Sequence, residues 1–400
     1  MSERPACLTT AVTTANLSAA RGIIVPMDGQ RVVIVGGGVI GTMHALEGVR
    51  RGWEVVQLEA DAGPRRASVR NFGLVWVSGR AVGEELELGL RAREMWESTA
   101  ALVPGVGLRA NGSVTVATDP AELALMEEVA ARPDAGARQL TVLDAAQVRT
   151  VNPAVRGKVL GGLLCRRDAV VEPGAVLGAL RAHLVDSGHY RWLPGRRAVE
   201  VGPGHVVDHV GARHGATLVL VCPGDAHTGL GGTVGAAIAQ APVRRCRLQM
   251  MQTGPAGETV ATSIADGDSM RYYPGFDLPG RGGLLPPSEE TVTFGMQLLL
   301  VQRAAGGLTI GDTHVYEEPF DFAVEEFLYE QLRRRAEEIL GWSLPPVVRR
   351  WAGVYSAPTD ARVCFREEVE PGVVVVTGLA GRGMTLSPAI AEQTWTGLSR

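Results

Sequence analysis

Lysine is almost missing from this 400-residue chain: Lys158 is the sole ammonium, and every other basic side chain is an arginine. Excess positive charge is missing as well. Lys and Arg number 39 against 43 acids, a formal net charge of −4, which excludes a general nucleic-acid binder because phosphate neutralisation needs clustered base. Cysteine is scarce: Cys7, Cys165, Cys222, Cys246 and Cys364 are odd in number, widely spaced and without a CxxC. That pattern argues against a disulfide framework and against a zinc site, and the expected state is free thiols in a reducing cytoplasm. No apolar run reaches the length of a membrane span. The Ala/Thr-rich opening lacks the apolar core of a signal peptide, so residues 1–28 are expected to be a disordered extension, with Met27 just before the first strand. No internal repeat is present.

What remains is a globular composition, 46% hydrophobic and 20% charged, long enough for two domains with their own cores. Near the start, RVVIV (Arg31 to Val35) is a β-branched strand followed by GGGVIG. Helical apolar spacing follows to Arg51, and a second strand, WEVVQL, ends at Glu59. Gly36, Gly38 and Gly41 thus form G-x-G-x-x-G between a strand and a helix, with an acid about twenty residues on, the setting of a dinucleotide site. Missing Cβ atoms there let amides from Gly36 through Val39 and Ile40 approach a pyrophosphate at the helix N-terminus, and Glu59 accepts from ribose hydroxyls.

Near the other end, VVVVTGLAGRGMTLSPA places a buried strand before a glycine-rich turn and a helix starting at Thr385 or Ser387. Between these poles the pattern reads as mixed strands and helices, a buried parallel-type strand TLVLV ending in CPGDA, then a strand-rich stretch from Pro242 to Asp312 and a helix from Phe327 to Leu340. A parallel sheet interrupted by two insertions accounts for this order. The expected fold is α/β: a discontinuous Rossmann-like cofactor domain with a parallel sheet (29–80, 160–228 and 348–400) and an α+β substrate domain with a mixed or antiparallel sheet (81–159 and 229–347).

GGGVIG with Glu59, TLVLVCPGDA, RRWAGVYSAPTD and GLAGRGMTLSPA together resemble the FAD-dependent amine and amino-acid oxidoreductases of the glycine oxidase, sarcosine oxidase and D-amino-acid oxidase superfamily. Within it, SVRNFGLVW, LTIGDTHVYEEPFDF and CRLQMM resemble a bacterial subgroup linked to aminophosphonate breakdown. The resemblance implies a Rossmann-like FAD domain whose last helix meets the flavin's pyrimidine edge, which gives Gly381, Arg382, Gly383, Met384 and Thr385 a place at the ring. It also implies that Ala67, Ser68, Arg70 and Asn71 line the pyrophosphate and ring edge, that the Val199 backbone meets adenine, and that Gly224 follows a cofactor-domain strand. The alternative for Ser68 is an ordinary turn or cap residue, and for Val199 any strand residue. Relatives with covalent flavin carry a cysteine at the position of Gly353, so FAD is expected to be noncovalent.

Relatives that oxidise free amino acids place a carboxylate-gripping arginine just after the AG of the AGV-like segment, where this chain has Val354. Replacement cations are Arg271, Arg80 and Arg382, and Tyr355 is a candidate anion donor or a structural tyrosine. His314, with Tyr316 close by, falls where relatives bring a polar residue against the flavin face; the alternative is a core histidine satisfied by backbone. The implied reaction oxidises the C–N bond of a small anionic amine, an aminophosphonate or its N-methyl form among them, with O2 or another acceptor taking the electrons. A flavin dehydrogenase of a hydroxy acid stays open, as the lysine-poor sequence allows, and so do a non-catalytic flavoprotein module and, more weakly, NAD in place of FAD. Oligomeric state and stereochemistry are not legible in the sequence.

Overall fold

A computed structural model describes residues 29–320 and 323–398; the expected extension at 1–28 lies outside the described residues. Six strands make one sheet in the order Phe365–Glu370, Val373–Thr377, Leu218–Val221, Arg31–Val35, Glu54–Leu58 and Tyr190–Leu193. All neighbours run parallel except the first pair, a hairpin that closes the edge. The central strands read as continuous apolar runs because helices cover one face and further chain the other. Val33, Val219, Val221, Val373 and Val375 pack on one side, and Val32, Ile34, Leu218, Leu220 and Val374 on the other.

The second large sheet has eight strands in the order Val347–Pro358, Val243–Pro255, Gly307–Gly311, Leu299–Gln302, Ser263–Ala265, Ser113–Ala117, Gly161–Cys165 and Leu140–Asp144. It is antiparallel save for one parallel pair, Ser263–Ala265 with Ser113–Ala117. Two segments expected in the cofactor domain belong to this sheet instead. Gly161–Cys165 pairs with Ser113–Ala117 and Leu140–Asp144, and Val347–Pro358 runs the length of Val243–Pro255. Their apolar patterns suit either sheet, and long-range pairing decided between them.

The first helix, Val39–Arg50, and the last, Gly383–Leu398, pack side by side. Gly48 permits this: a Cβ there would stand 2.8 Å from the Trp395 ring. Trp395 donates its indole N–H to the His44 carbonyl at 3.1 Å, while the His44 ring meets Ile40 O through Nδ1 at 2.8 Å and the Thr394 hydroxyl through Nε2 at 3.1 Å. Buried Asp168 ties the next segment down, accepting from Val77 N at 2.5 Å and from the hydroxyls of Ser78 and Ser113 at 2.6 Å each.

His44 is fully buried, and burial pushes its pKa down to about 4 from 6.5. The unfolded chain therefore binds a proton that the folded one refuses between those values, so stability is fully present above about pH 6.5 and falls as pH drops toward 4. On the order of 3 kcal/mol is at stake. Urea unfolding across this window should show the loss for the parent protein and a flatter profile for His44→Gln; parallel profiles would show that His44 does not carry it.

Candidate flavin and substrate site

The turn after the first strand is built for a backbone ligand. Gly36 has φ +112°, and a Cβ on it would meet the Cys222 carbonyl at 2.2 Å, while one on Gly41 would meet the Gly36 carbonyl at 2.1 Å. No side chain fits at either position, so strand, turn and helix stay in contact. Glu59 accepts from Gly37 N at 2.8 Å and Asp61 N at 2.9 Å, and its two oxygens retain lone pairs for further donors. Ser68 Oγ accepts from Val39 N at 2.9 Å, placing an oxygen at the N-terminus of the first helix. Beneath the turn, buried Arg181 stacks over Trp192 at 4.0 Å and donates to Gly37 O.

This turn opens into a cavity of about 840 Å³. At one end stand Glu59, Arg196 and Arg197; at the other, Arg80, Tyr272, His314, Tyr355 and the turn Gly381–Gly383. Gly36, Gly38, Val39, Ile40, Gly41, Ala67, Ser68, Arg70, Asn71, Gly224, Met384, Thr385 and Tyr316 also line it. The last helix begins at Gly383, ahead of the expected start at Thr385 or Ser387. Thr385 Oγ1 accepts from Trp76 N at 2.9 Å and donates to Leu74 O at 3.2 Å, fixing the strand Leu74–Val75 against that helix. Arg70 donates to Ala352 O at 2.9 Å, and Asn71 closes its own turn onto Ala67 O and Gly73 N. The Gly224 carbonyl is held by the hydroxyls of Ser356 at 2.6 Å and Thr377 at 2.9 Å.

Two expected site residues lie outside the lining. Arg271 pairs with Asp268 at 2.9 Å and donates to Leu285 O, because in the helix Gly267–Tyr272 it points away from the face that gives Tyr272 to the cavity. Val199 is 39% exposed on a three-stranded sheet, while its neighbours Arg197 and Ala198 line the cavity. Arg80 and Arg382 do reach it, yet both are committed to one buried carboxylate: each stands 3.1 Å from Glu85.

At the far end His314 Nδ1 meets Gly295 O at 2.8 Å. The carbonyl accepts, so Nδ1 carries the hydrogen and the lone pair of a neutral ring lies on Nε2. Nε2 stands 3.6 Å from Asp312 Oδ2, and Gln297 Nε2 donates to Asp312 Oδ1 at 3.3 Å. Burial raises the Asp312 pKa. The His314 ring stacks on Tyr272 at 4.1 Å, and the Tyr272 and Tyr355 hydroxyls are 3.4 Å apart. Burial holds both phenols well above their usual range and Tyr316 up to about 12, so all three are neutral donors near pH 7.

Asp312, Glu85, Tyr272, Arg244, Leu248 and Met250 line the site without having been singled out in the sequence. Tyr272 and Asp312 adjoin the chosen Arg271 and His314, so a period count on those short segments would have found them. Glu85 and Arg244 carried no local signal.

Parallel sheet, glycine turn, an acid at the end of the second strand and a second helix N-terminus on one continuous cavity are the features of a flavin-dinucleotide enzyme. The chain belongs to the DAO family of FAD dependent oxidoreductases, matched over residues 31–394. The glycine cradle, Glu59 and the cavity's reach to Gly381–Gly383 fit FAD. It is 30% identical over 176 residues to one of the subunits of the opine oxidase of Rhizobium meliloti, a match spanning 39% of this chain and 45% of that relative. In structure it is similar to glycine oxidase from Bacillus cereus ATCC 14579 (TM-score 0.74, 18% identity, 92% and 95% of the two chains). It is also similar to the FAD-bound L-α-glycerophosphate oxidase from Mycoplasma pneumoniae (TM-score 0.71, 15% identity, 93% and 95%). No helix among the described residues is long and apolar enough to cross a membrane, and none of their His, Cys, Asp and Glu groups is arranged to hold a metal ion.

Glu59→Ala should weaken FAD retention by roughly 10- to 150-fold, the loss of charge-assisted hydrogen bonds, measured by flavin fluorescence on dilution. Gly36→Ala, which adds both a clash and a strained φ, should abolish retention. Full yellow colour in either purified variant would remove the turn from the cofactor's site.

Proposed function

We propose that the protein oxidises the C–N bond of a small anionic amine to an imine, which water hydrolyses to an aldehyde or ketone and the smaller amine, while O2 accepts the electrons and becomes H2O2. FAD supplies the two-electron acceptor when bound. The observation that carries the reading is the pair His314 and Asp312 on the cavity wall, 3.6 Å apart and backed by Gly295 O and Gln297. An amine reaches an enzyme near neutral pH mostly as ammonium, and its nitrogen lone pair is needed before the α-carbon gives up its electrons. Nε2 of His314 is a positioned acceptor for that proton, and Asp312 steadies the charge so formed. The neutral phenols of Tyr272 and Tyr355 orient the nitrogen or the anionic group, and the apolar side chains Leu248, Met250 and Leu299 keep water from this end.

The likeness to a glycine oxidase and to part of an opine oxidase supports an amine donor. Among anionic amines, 2-aminoethylphosphonate and its N-methyl form are favoured by the subgroup resemblance and by Val354 in place of the carboxylate-gripping arginine. Free thiols at the four described cysteines support a cytoplasmic location. The fold is shared with a glycerophosphate oxidase, so a hydroxy-compound donor is the second reading.

Anaerobic mixing with panels of amino acids, aminophosphonates and hydroxy acids separates these readings. Bleaching of the flavin by an anionic amine, with peroxide on readmitting air, is expected; bleaching only by a hydroxy acid, or by nothing, overturns the proposal. His314→Asn should slow bleaching by roughly 10²- to 10⁴-fold, the usual worth of a positioned acid or base. An unchanged stopped-flow rate would exclude His314 as the proton acceptor.

A further inference from the structure

The strand Val243–Pro255 alternates its side chains, so Arg244, Cys246, Leu248 and Met250 share a face. Leu248 and Met250 line the cavity, and Arg244 lines it too, at the open end of the row and as its one charged member. The arginines around the flavin-ring end of the cavity are otherwise engaged. Arg80 and Arg382 share Glu85, Arg362 is paired with Asp360 and Glu367, and Arg70 donates to a main-chain carbonyl. Arg244 instead rests its guanidinium on the Tyr316 ring at 3.8 Å and meets no carboxylate among the described residues. A guanidinium stacked by its face keeps its in-plane N–H groups free, and that edge is the fork that matches two oxygens of an oxyanion.

Resting on the amine reading above, we propose that Arg244 recognises the anionic end of the substrate, a carboxylate or phosphonate, in the role that Val354 cannot fill. From Arg244 the wall continues through Tyr316 and Tyr272 to His314, which stacks on Tyr272. A cation stands at one end of this wall and a proton acceptor at the other. That polarity fits a short molecule with an oxyanion at one end and an amine at the other. Tyr316 is the platform that holds the guanidinium in position.

The test uses FAD-loaded protein and begins with binding rather than turnover. Calorimetric titration with acetate and with methylphosphonate compares the parent, Arg244→Met and Arg244→Lys. Arg244→Met should weaken binding by roughly 10- to 150-fold, the loss of charged hydrogen bonds, and Arg244→Lys should recover part of it. The tighter anion in the parent tells phosphonate from carboxylate. With amines that reduce the flavin, Arg244→Met should raise KM far more than it lowers kcat, and an uncharged amine such as ethylamine should not feel the change. Unchanged anion affinity in Arg244→Met overturns the inference. So does a parent that binds neither anion, or an Arg244→Met protein that has lost FAD, which would give the arginine to the cofactor. Arg244-dependent anion binding without flavin reduction by any amine would uphold the recognition site and sink the amine oxidation instead.

Discussion

The close approach of the first and last helices is the contact on which the site depends. Gly48 lets the Trp395 ring lie where a methyl group would collide, and Trp395 in turn donates to the His44 carbonyl. This contact sets the N-termini of two helices about a single cavity: Val39–Arg50, reached through Gly36 to Gly41, and Gly383–Leu398, reached through Gly381. Each N-terminus offers main-chain amides and the positive end of a helix dipole, Val39 N being held by Ser68 Oγ. One suits a pyrophosphate and the other the electron-rich edge of a ring. A flaw in the packing of these helices would therefore be felt at both halves of the cofactor.

Around the ring end of the cavity, Arg80 and Arg382 are paired with a buried carboxylate, while Arg244 meets no carboxylate among the described residues. Glu85 holds Arg80 and also Arg382, 297 positions further along the chain, and so joins the turn beside the last helix to the helix Glu84–Leu102. Leaving either guanidinium unpaired in so buried a place would be costly. Arg244, exposed at the rim and stacked on an aromatic ring, carries no such cost. The phenols along this wall are buried, and burial keeps them neutral, so they add no fixed negative charge to oppose an entering anion.

The cofactor half was legible in the sequence because its signals are local. A β-branched run, a glycine turn, an amphipathic helix and an acid twenty residues on lie within one supersecondary unit, and Gly36, Gly41 and Glu59 stand where that spacing put them. The terminal turn was legible for the same reason. The substrate half was not. Arg271 and Tyr272 are neighbours in sequence, yet a single residue's rotation on a short helix sends one to Asp268 and the other to the cavity. The strands Gly161–Cys165 and Val347–Pro358 fell within the expected bounds of the cofactor domain and joined the antiparallel sheet, since apolar content does not specify a partner.

By itself the sequence determined a strand-turn-helix at each end, the first with dinucleotide-motif spacing, and an α/β class, because hydrophobic period and glycine position act over a few residues. Tertiary structure alone decided that Arg80 and Arg382 meet through Glu85. It also decided which phenols stand beside His314, because those relations join residues tens to hundreds of positions apart and arise only when the two sheets meet over one cavity.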